Sequence, residues 1–121
     1  MTEARANVAA LKPQYRSKVE EAWADIGAVY IAAEFDARVV WQMYEPATLT
    51  LSFKPRATYM PDFLYILETG QVVFVEVKSR KGGRGYTATR SRIRIAADRF
   101  PFFTFVQATG SGKSFELEVI E

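Results

Sequence analysis

The stretch that most constrains this chain is "PDFLYILETGQVVFVEVK", from Pro61 to Lys78. Two apolar runs flank "ETG" and read as a hairpin, so rich in Leu, Ile, Val and Phe that both strands must be covered on both faces. Yet Asp62, Glu76 and Lys78 are set among them. Burying charge in apolar surroundings is costly unless the charges are paired or hold an ion. How the turn is built decides where they go. A three-residue loop Glu68-Thr69-Gly70, with Gly70 in the left-handed position, puts Leu67 opposite Gln71 and Asp62 opposite Glu76. Opposed side chains share a face about 5 Å apart at Cβ. Lys78, two residues beyond Glu76, points the same way. A two-residue turn would put Asp62 opposite Val77 and split the acids across the sheet. The sequence permits both, and a glycine as third loop residue favours the first.

The rest of the chain supplies a frame for this hairpin. "PQYRSKVEEAWADIGAVYIAAE" has helical spacing, with Val19, Ala22, Trp23, Ile26 and Tyr30 on one stripe. Pro13 suits a first turn and Ser17 a cap for a later start; Gly27 either ends the helix or is passed through on the way to Glu34. "ARVVWQMYEP" and "TLTLSF" read as extended segments, the first held to an edge or an ending by Pro46. "SRKGGRGY" is a loop and "TATRSRIRIAADRF" a second helix with Thr87 or Thr89 as cap. "FFTFVQA" and "FELEVIE" close the chain as strands. The expected fold is α/β, a mixed central sheet of about five strands flanked by two helices. At 121 residues with no repeat or linker, a single domain over 1–121 is expected, with 1–12 open to being flexible.

Composition narrows the chemistry. The chain has no cysteine and no histidine. Disulfides, thiolate zinc sites, Ser-His-Asp and Cys-His catalysis and histidine general bases are excluded, and a reducing cytoplasm fits. Catalysis, if any, rests on carboxylates, lysine, tyrosine or a hard metal ion. No apolar run long enough to span a membrane appears, and the N-terminal residues lack a signal-peptide pattern. "GSGKS" at Gly110–Ser114 resembles a phosphate-binding loop, but the glycine required five residues before the "GKS" glycine is Gln107, and a strand-like "FELEVIE" follows instead of a helix. A hairpin loop is expected there, and no nucleotide cofactor.

Two converging carboxylates without a nearby arginine repel each other, so one takes a proton or both share a divalent cation. With oxygen ligands alone, magnesium, manganese and calcium are the candidates. A lysine beside them makes a set suited to phosphodiester hydrolysis. An isolated acid-x-lysine pattern is more often a solvated ion pair; "PD" ahead of one strand and "ExK" ending the next is a stronger signal. A basic tract follows at once. Half of the 16 basic residues fall between Lys78 and Arg99, against Asp98 alone, which reads either as a solvated loop and helix face or as a phosphate-contacting surface.

"YMPDF" followed by "FVEVK" resembles the core motif of the PD-(D/E)XK nuclease superfamily, whose fold is restriction-endonuclease-like. "MYEPATLTLSF" before it and "RIAADRFPFFTFVQA" after it are similar to the flanking segments of small phage-encoded members, and "RSKVEE" to an "RSxxE" on the first helix of phage endonuclease I type Holliday junction resolvases. The resemblance implies Asp62 and Glu76 as metal ligands, the Val77 carbonyl as a further oxygen, Lys78 as catalytic lysine and Glu20 as an acidic residue near the metal. Geometry also selects Glu20: with the stripe centred near Val19 and Ile26, it lies about 100° round the helix and borders the buried face, whereas Glu21, at about 200°, points to solvent.

The expected activity is a magnesium-dependent DNA endonuclease, with manganese able to substitute, acting on branched or duplex DNA in the cytoplasm. Arg80, Lys81, Arg84 and Tyr86 in the loop, with Arg90 and Arg94 on the second helix, are the candidate DNA contacts. Cutting both strands of a junction needs two sites, hence a homodimer is expected. The alternative is an inactive DNA-binding or assembly module on the same fold.

Overall fold

A computed structural model describes residues 14–80 and 86–121, except the side chain of Tyr86. Helix α1 (Lys18–Phe35) starts at Ser17, whose side chain accepts from the Glu20 amide, and ends at Asp36 in the left-handed conformation. The helix runs straight through Gly27. There the missing side chain is a packing requirement: a Cβ would sit 2.5 Å from the Trp23 ring and 2.5 Å from the Tyr65 hydroxyl. Consequently the buried line of α1 is Glu20, Trp23, Gly27 and Ile31, rotated from the apolar stripe, with Val19, Ala22, Ile26 and Tyr30 on its margins. Glu20 sits on this line, only 9% exposed.

The strands are β1 (Val39–Tyr44), β2 (Leu49–Phe53), β3 (Arg56–Tyr59), β4 (Phe63–Leu67), β5 (Val72–Ser79), β6 (Thr104–Ser111) and β7 (Ser114–Ile120), with helix α2 (Tyr86–Arg99) between β5 and β6. Five strands form one sheet in the order β1-β4-β5-β6-β7, mixed because only β5 and β6 are parallel. This is the expected α/β arrangement, with "ARVVWQMYEP" supplying an edge strand. "TLTLSF" is not in that sheet. It pairs with Arg56–Tyr59, a strand too short and irregular to show in the sequence, as a separate two-stranded hairpin. "GSGKS" is a β6–β7 turn with Gly112 at φ 57°, as expected of a hairpin loop.

The central sheet is covered on both faces. On one, α1 packs Trp23 and Ile31 on Phe63, Tyr65, Val73, Val75, Val106 and Ala108. On the other, α2 and the β2–β3 hairpin pack Ile93, Ala96, Leu51 and Tyr59 on Phe74 and Phe105. Alternation along β5 explains the division: Val73, Val75 and Val77 serve the first face, leaving Phe74, Glu76 and Lys78 to the second. No helix among the described residues is long and apolar enough to cross a membrane.

Candidate metal and nucleic-acid site

The β4–β5 turn is the three-residue loop. Leu67 N donates to Gln71 O at 3.0 Å, Gly70 N to Leu67 O at 2.8 Å, and Gly70 has φ 91°. Pairing then runs from Ile66↔Val72 to Phe63↔Val75. Just past Phe63 the strand doubles up, because Asp62 N also donates to Val75 O at 3.0 Å. Two residues facing one is the pattern of a bulge, which re-aims a side chain at the mouth of a sheet. Asp62 Oδ2 accepts from Val77 N at 2.8 Å. Asp62 is thus tied to the residues on either side of Glu76, and Glu45 N fixes its carbonyl at 2.8 Å.

Glu76 is 5% exposed. Its Oε1 accepts from the Tyr59 hydroxyl at 2.8 Å, and its Oε2 faces Lys78 Nζ at 3.4 Å. Burial raises the Asp62 carboxyl to about 8; the charge of Glu76 adds to this, the Val77 amide opposes it, and Glu20's charge and a hydrogen bond with Glu76 raise it further. Glu20 therefore acts on Asp62 although it comes from the opposite layer. It is fixed by the Tyr44 hydroxyl, which donates to Oε1 at 2.6 Å, and by Ser17 at the helix cap. Burial, and then the bond to Glu20, push the Tyr44 phenol up to about 12, and burial followed by the charge of Glu76 holds the Tyr59 phenol far above its usual range.

Asp62 lies in the field of both Glu76 and Glu20, with the Lys78 ammonium against Glu76, and these acids offer only oxygen donors. Oxygen donors of this kind suit a hard divalent cation, and Asp62 and Glu76, with Glu20 and the Val77 carbonyl, are the residues that would hold one. Among the described residues, no group of three or more acids is already drawn together at coordination distance.

The basic residues divide. Arg90 reaches into the sheet: its guanidinium donates to Gln107 Oε1 at 2.9 Å and to Glu118 Oε2 at 2.7 Å. Gln107 is the register partner of Glu76, and Glu118 that of Gln107, so a polar row crosses three strands beside the carboxylates. Arg94 is exposed and with Thr87, Arg90 and Ser91 lines an open depression of about 250 Å³ on α2. Arg80 bonds Ser114 at 3.1 Å and lies 3.9 Å from Glu116, over the start of β7. Lys81, Arg84 and the Tyr86 side chain lie outside the described residues, as does the segment 1–12.

Three residues of this site carry no signal of their role in the sequence: Tyr59, Tyr44 and Gln107. The rings of Tyr44 and Tyr59 read as apolar bulk and hide their hydroxyls, and Gln107 is a lone polar residue within a strand. The nearest available hint is Tyr59 in "YMPD", close enough to Asp62 that both reach Glu76. No protein-family model, curated protein or solved structure matches the chain.

Proposed function

We propose that this protein is a metal-dependent DNA endonuclease of the phage Holliday junction resolvase type, acting on branched or duplex DNA in the cytoplasm. The observation that carries the reading is Asp62 bonded on both sides of Glu76, with Lys78 3.4 Å from the same Glu76 carboxylate. Two buried acids arranged this way destabilise the fold unless a proton or a cation joins them, and a purely structural role offers no reason for the cost.

Magnesium, or manganese in its place, would polarise the scissile phosphate and acidify the attacking water. Asp62 and Glu76 would hold the ion, Glu20 would add negative field from α1, and the Val77 carbonyl a neutral oxygen. Lys78, partly open to solvent, would orient the attacking water or stabilise charge developing on the phosphate. Arg94 and Arg80 would take flanking phosphates; Arg90 would contribute mainly by fixing α2 beside the acids. A second copy is best sought at β1, an edge strand without charge along Val39–Tyr44 and with Trp41 54% exposed.

The test is cleavage of four-way junction, linear duplex and single-stranded DNA with magnesium, wild type against Lys78→Ala. Junction cutting that Lys78→Ala loses supports the reading. A protein that binds DNA but cuts none of these substrates sinks it. The second reading, a DNA-binding or assembly module without catalysis, is favoured by the absence of a preassembled acidic cluster among the described residues; calorimetry showing no magnesium or manganese binding would select it.

A further inference from the structure

The β2–β3 hairpin is fixed to the fold by its inner side. Tyr59 is buried there and its hydroxyl donates to Glu76 Oε1 at 2.8 Å. Leu51 packs with Ile93 and Ala96 of α2, and its carbonyl accepts from Arg99 Nε at 2.9 Å. The tip is different. The chain turns through Phe53, Lys54, Pro55 and Arg56, all exposed, and Phe53 is 77% exposed. Phe53 and Arg56 are register partners. Ala57 and Tyr59 face the core shared with α2, so alternation sends Arg56, and Phe53 opposite it, to the outer face. No acid occurs from Pro46 to Pro61, and among the described residues neither Lys54 nor Arg56 has an ion-pair partner. The tip is therefore an aromatic ring beside two unneutralised cations, carried on an anchored arm.

Building on the nuclease reading, we infer that this tip is a nucleobase contact: Phe53 stacks on an unpaired base while Lys54 and Arg56 take the phosphates beside it. Charge chooses the occupant. A second copy docked tip to tip would crowd four cations together, whereas a nucleic-acid strand offers both a π face for the ring and phosphates for the two cations. A base inside an intact duplex is stacked on both sides and has no face to give. The contact therefore selects DNA with unpaired or unstacked bases, as at a branch point, a gap or an end. Its place on the hairpin also fits. From Arg56 to Tyr59 the strand rises about 10 Å. The stacked base then lies on the order of three base steps from the carboxylates that Tyr59 touches.

The test is DNA binding in EDTA, followed by fluorescence anisotropy, which needs neither metal nor turnover. Three labelled probes are compared: a thymidine oligonucleotide, an abasic chain of the same length and a blunt duplex. Wild type is expected to hold the thymidine oligonucleotide at least about tenfold more tightly than the abasic chain. Phe53→Ala should lose about tenfold on the thymidine oligonucleotide, change little on the other two probes and keep the salt slope of wild type. Arg56→Ala should instead lower that slope by about 0.7 on the single strand. Wild type that binds the thymidine and abasic chains equally overturns the inference, and this comparison stands even if a variant does not fold. So does a folded Phe53→Ala protein, checked by its melting curve, that binds as wild type or weakens equally on all three probes. Light scattering in which Phe53→Ala turns a dimer into a monomer overturns it too, giving the tip to a second copy. The nuclease reading survives each of these results. Wild type that binds none of the three probes at low salt removes that reading and the role of Phe53 with it.

Discussion

The Asp62 carboxylate accepts from the amide of Val77 while the Asp62 amide donates to Val75, so one residue brackets Glu76 from both sides. This arrangement holds two acids together inside the fold, and its consequence is electrostatic. The Asp62 carboxyl lies near 8 in the folded chain against 3.8 for a free side chain.

A raised acid makes stability fall with pH. Below 3.8 both folded and unfolded chains keep the proton on Asp62; between 3.8 and about 8 only the folded chain does, so its advantage drains away as pH climbs through that window. The slope contributed is at most about 1.4 kcal/mol per pH unit. Urea unfolding in the presence of a chelator should show metal-free wild type less stable at pH 8 than at pH 5. Asp62→Asn, which keeps an acceptor for Val77 and cannot ionise, should lose that difference and be the more stable protein at pH 8. Parallel pH profiles for the two proteins would refute the assignment.

Arg90 and Arg94 are one helical turn apart and should behave differently. Arg90 bonds both Gln107 and Glu118, so Arg90→Ala should lower stability by about 1–3 kcal/mol through the partners it strands. Arg94 is exposed beside the depression on α2. Arg94→Ala should leave the melting temperature unchanged, weaken DNA binding across all sequences and reduce the slope of log affinity against log salt by about one. Binding isotherms at several salt concentrations decide it; an unaltered slope removes Arg94 from the interface.

The hairpin could be read ahead of the structure because one residue, Gly70, set its loop and the loop set the register as far as Phe63↔Val75; the expected opposition of Asp62 and Glu76 is replaced by a bulge that puts Asp62 on Val75. That its two strands are central followed from their apolar runs, which called for cover on both faces. Other features escaped for identifiable reasons. Strand β3 is Arg56–Tyr59, directly after a proline and with no alternation, so nothing local marks it; it exists because Leu51 and Tyr59 are buried against α2. The face of α1 was misplaced by a fraction of a turn because Gly27 carries no hydrophobic weight, yet it is the seat for Trp23 and Tyr65. Glu20 was chosen as a border residue and lies on the buried line itself. The hydroxyls of Tyr44 and Tyr59 were hidden by their own rings.

Gly27 yields a prediction contrary to helix propensity. In an exposed helix, glycine to alanine stabilises by about 1 kcal/mol. Here the added methyl meets the Trp23 ring and the Tyr65 hydroxyl at 2.5 Å and 2.5 Å, both inside the core. Gly27→Ala should destabilise by about 1–3 kcal/mol, the usual cost of overpacking. An increase in melting temperature would show that α1 can shift outward and that Glu20 is not held in place by this close packing.

Lys78 separates chemistry from folding most sharply. Its ammonium lies 3.4 Å from Glu76 Oε2 and its side chain is 23% exposed, so it is near enough to solvent to meet a substrate. Lys78→Met keeps the aliphatic stem and removes the charge. Cleavage should drop by about 10²–10³-fold, as when a group that stabilises developing charge is deleted, while DNA affinity in calcium changes little. Stability should fall by about 1–3 kcal/mol, because Glu76 keeps Tyr59 but loses its counter-charge in a buried position. Lys78→Arg restores the charge without the compact ammonium, and should recover the stability but only part of the rate. The proof lies in the divergence between the two variants: if Lys78→Arg restores cleavage fully, the role of this residue is charge balance for Glu76, and if Lys78→Met cuts as fast as wild type, the residue takes no part in the reaction.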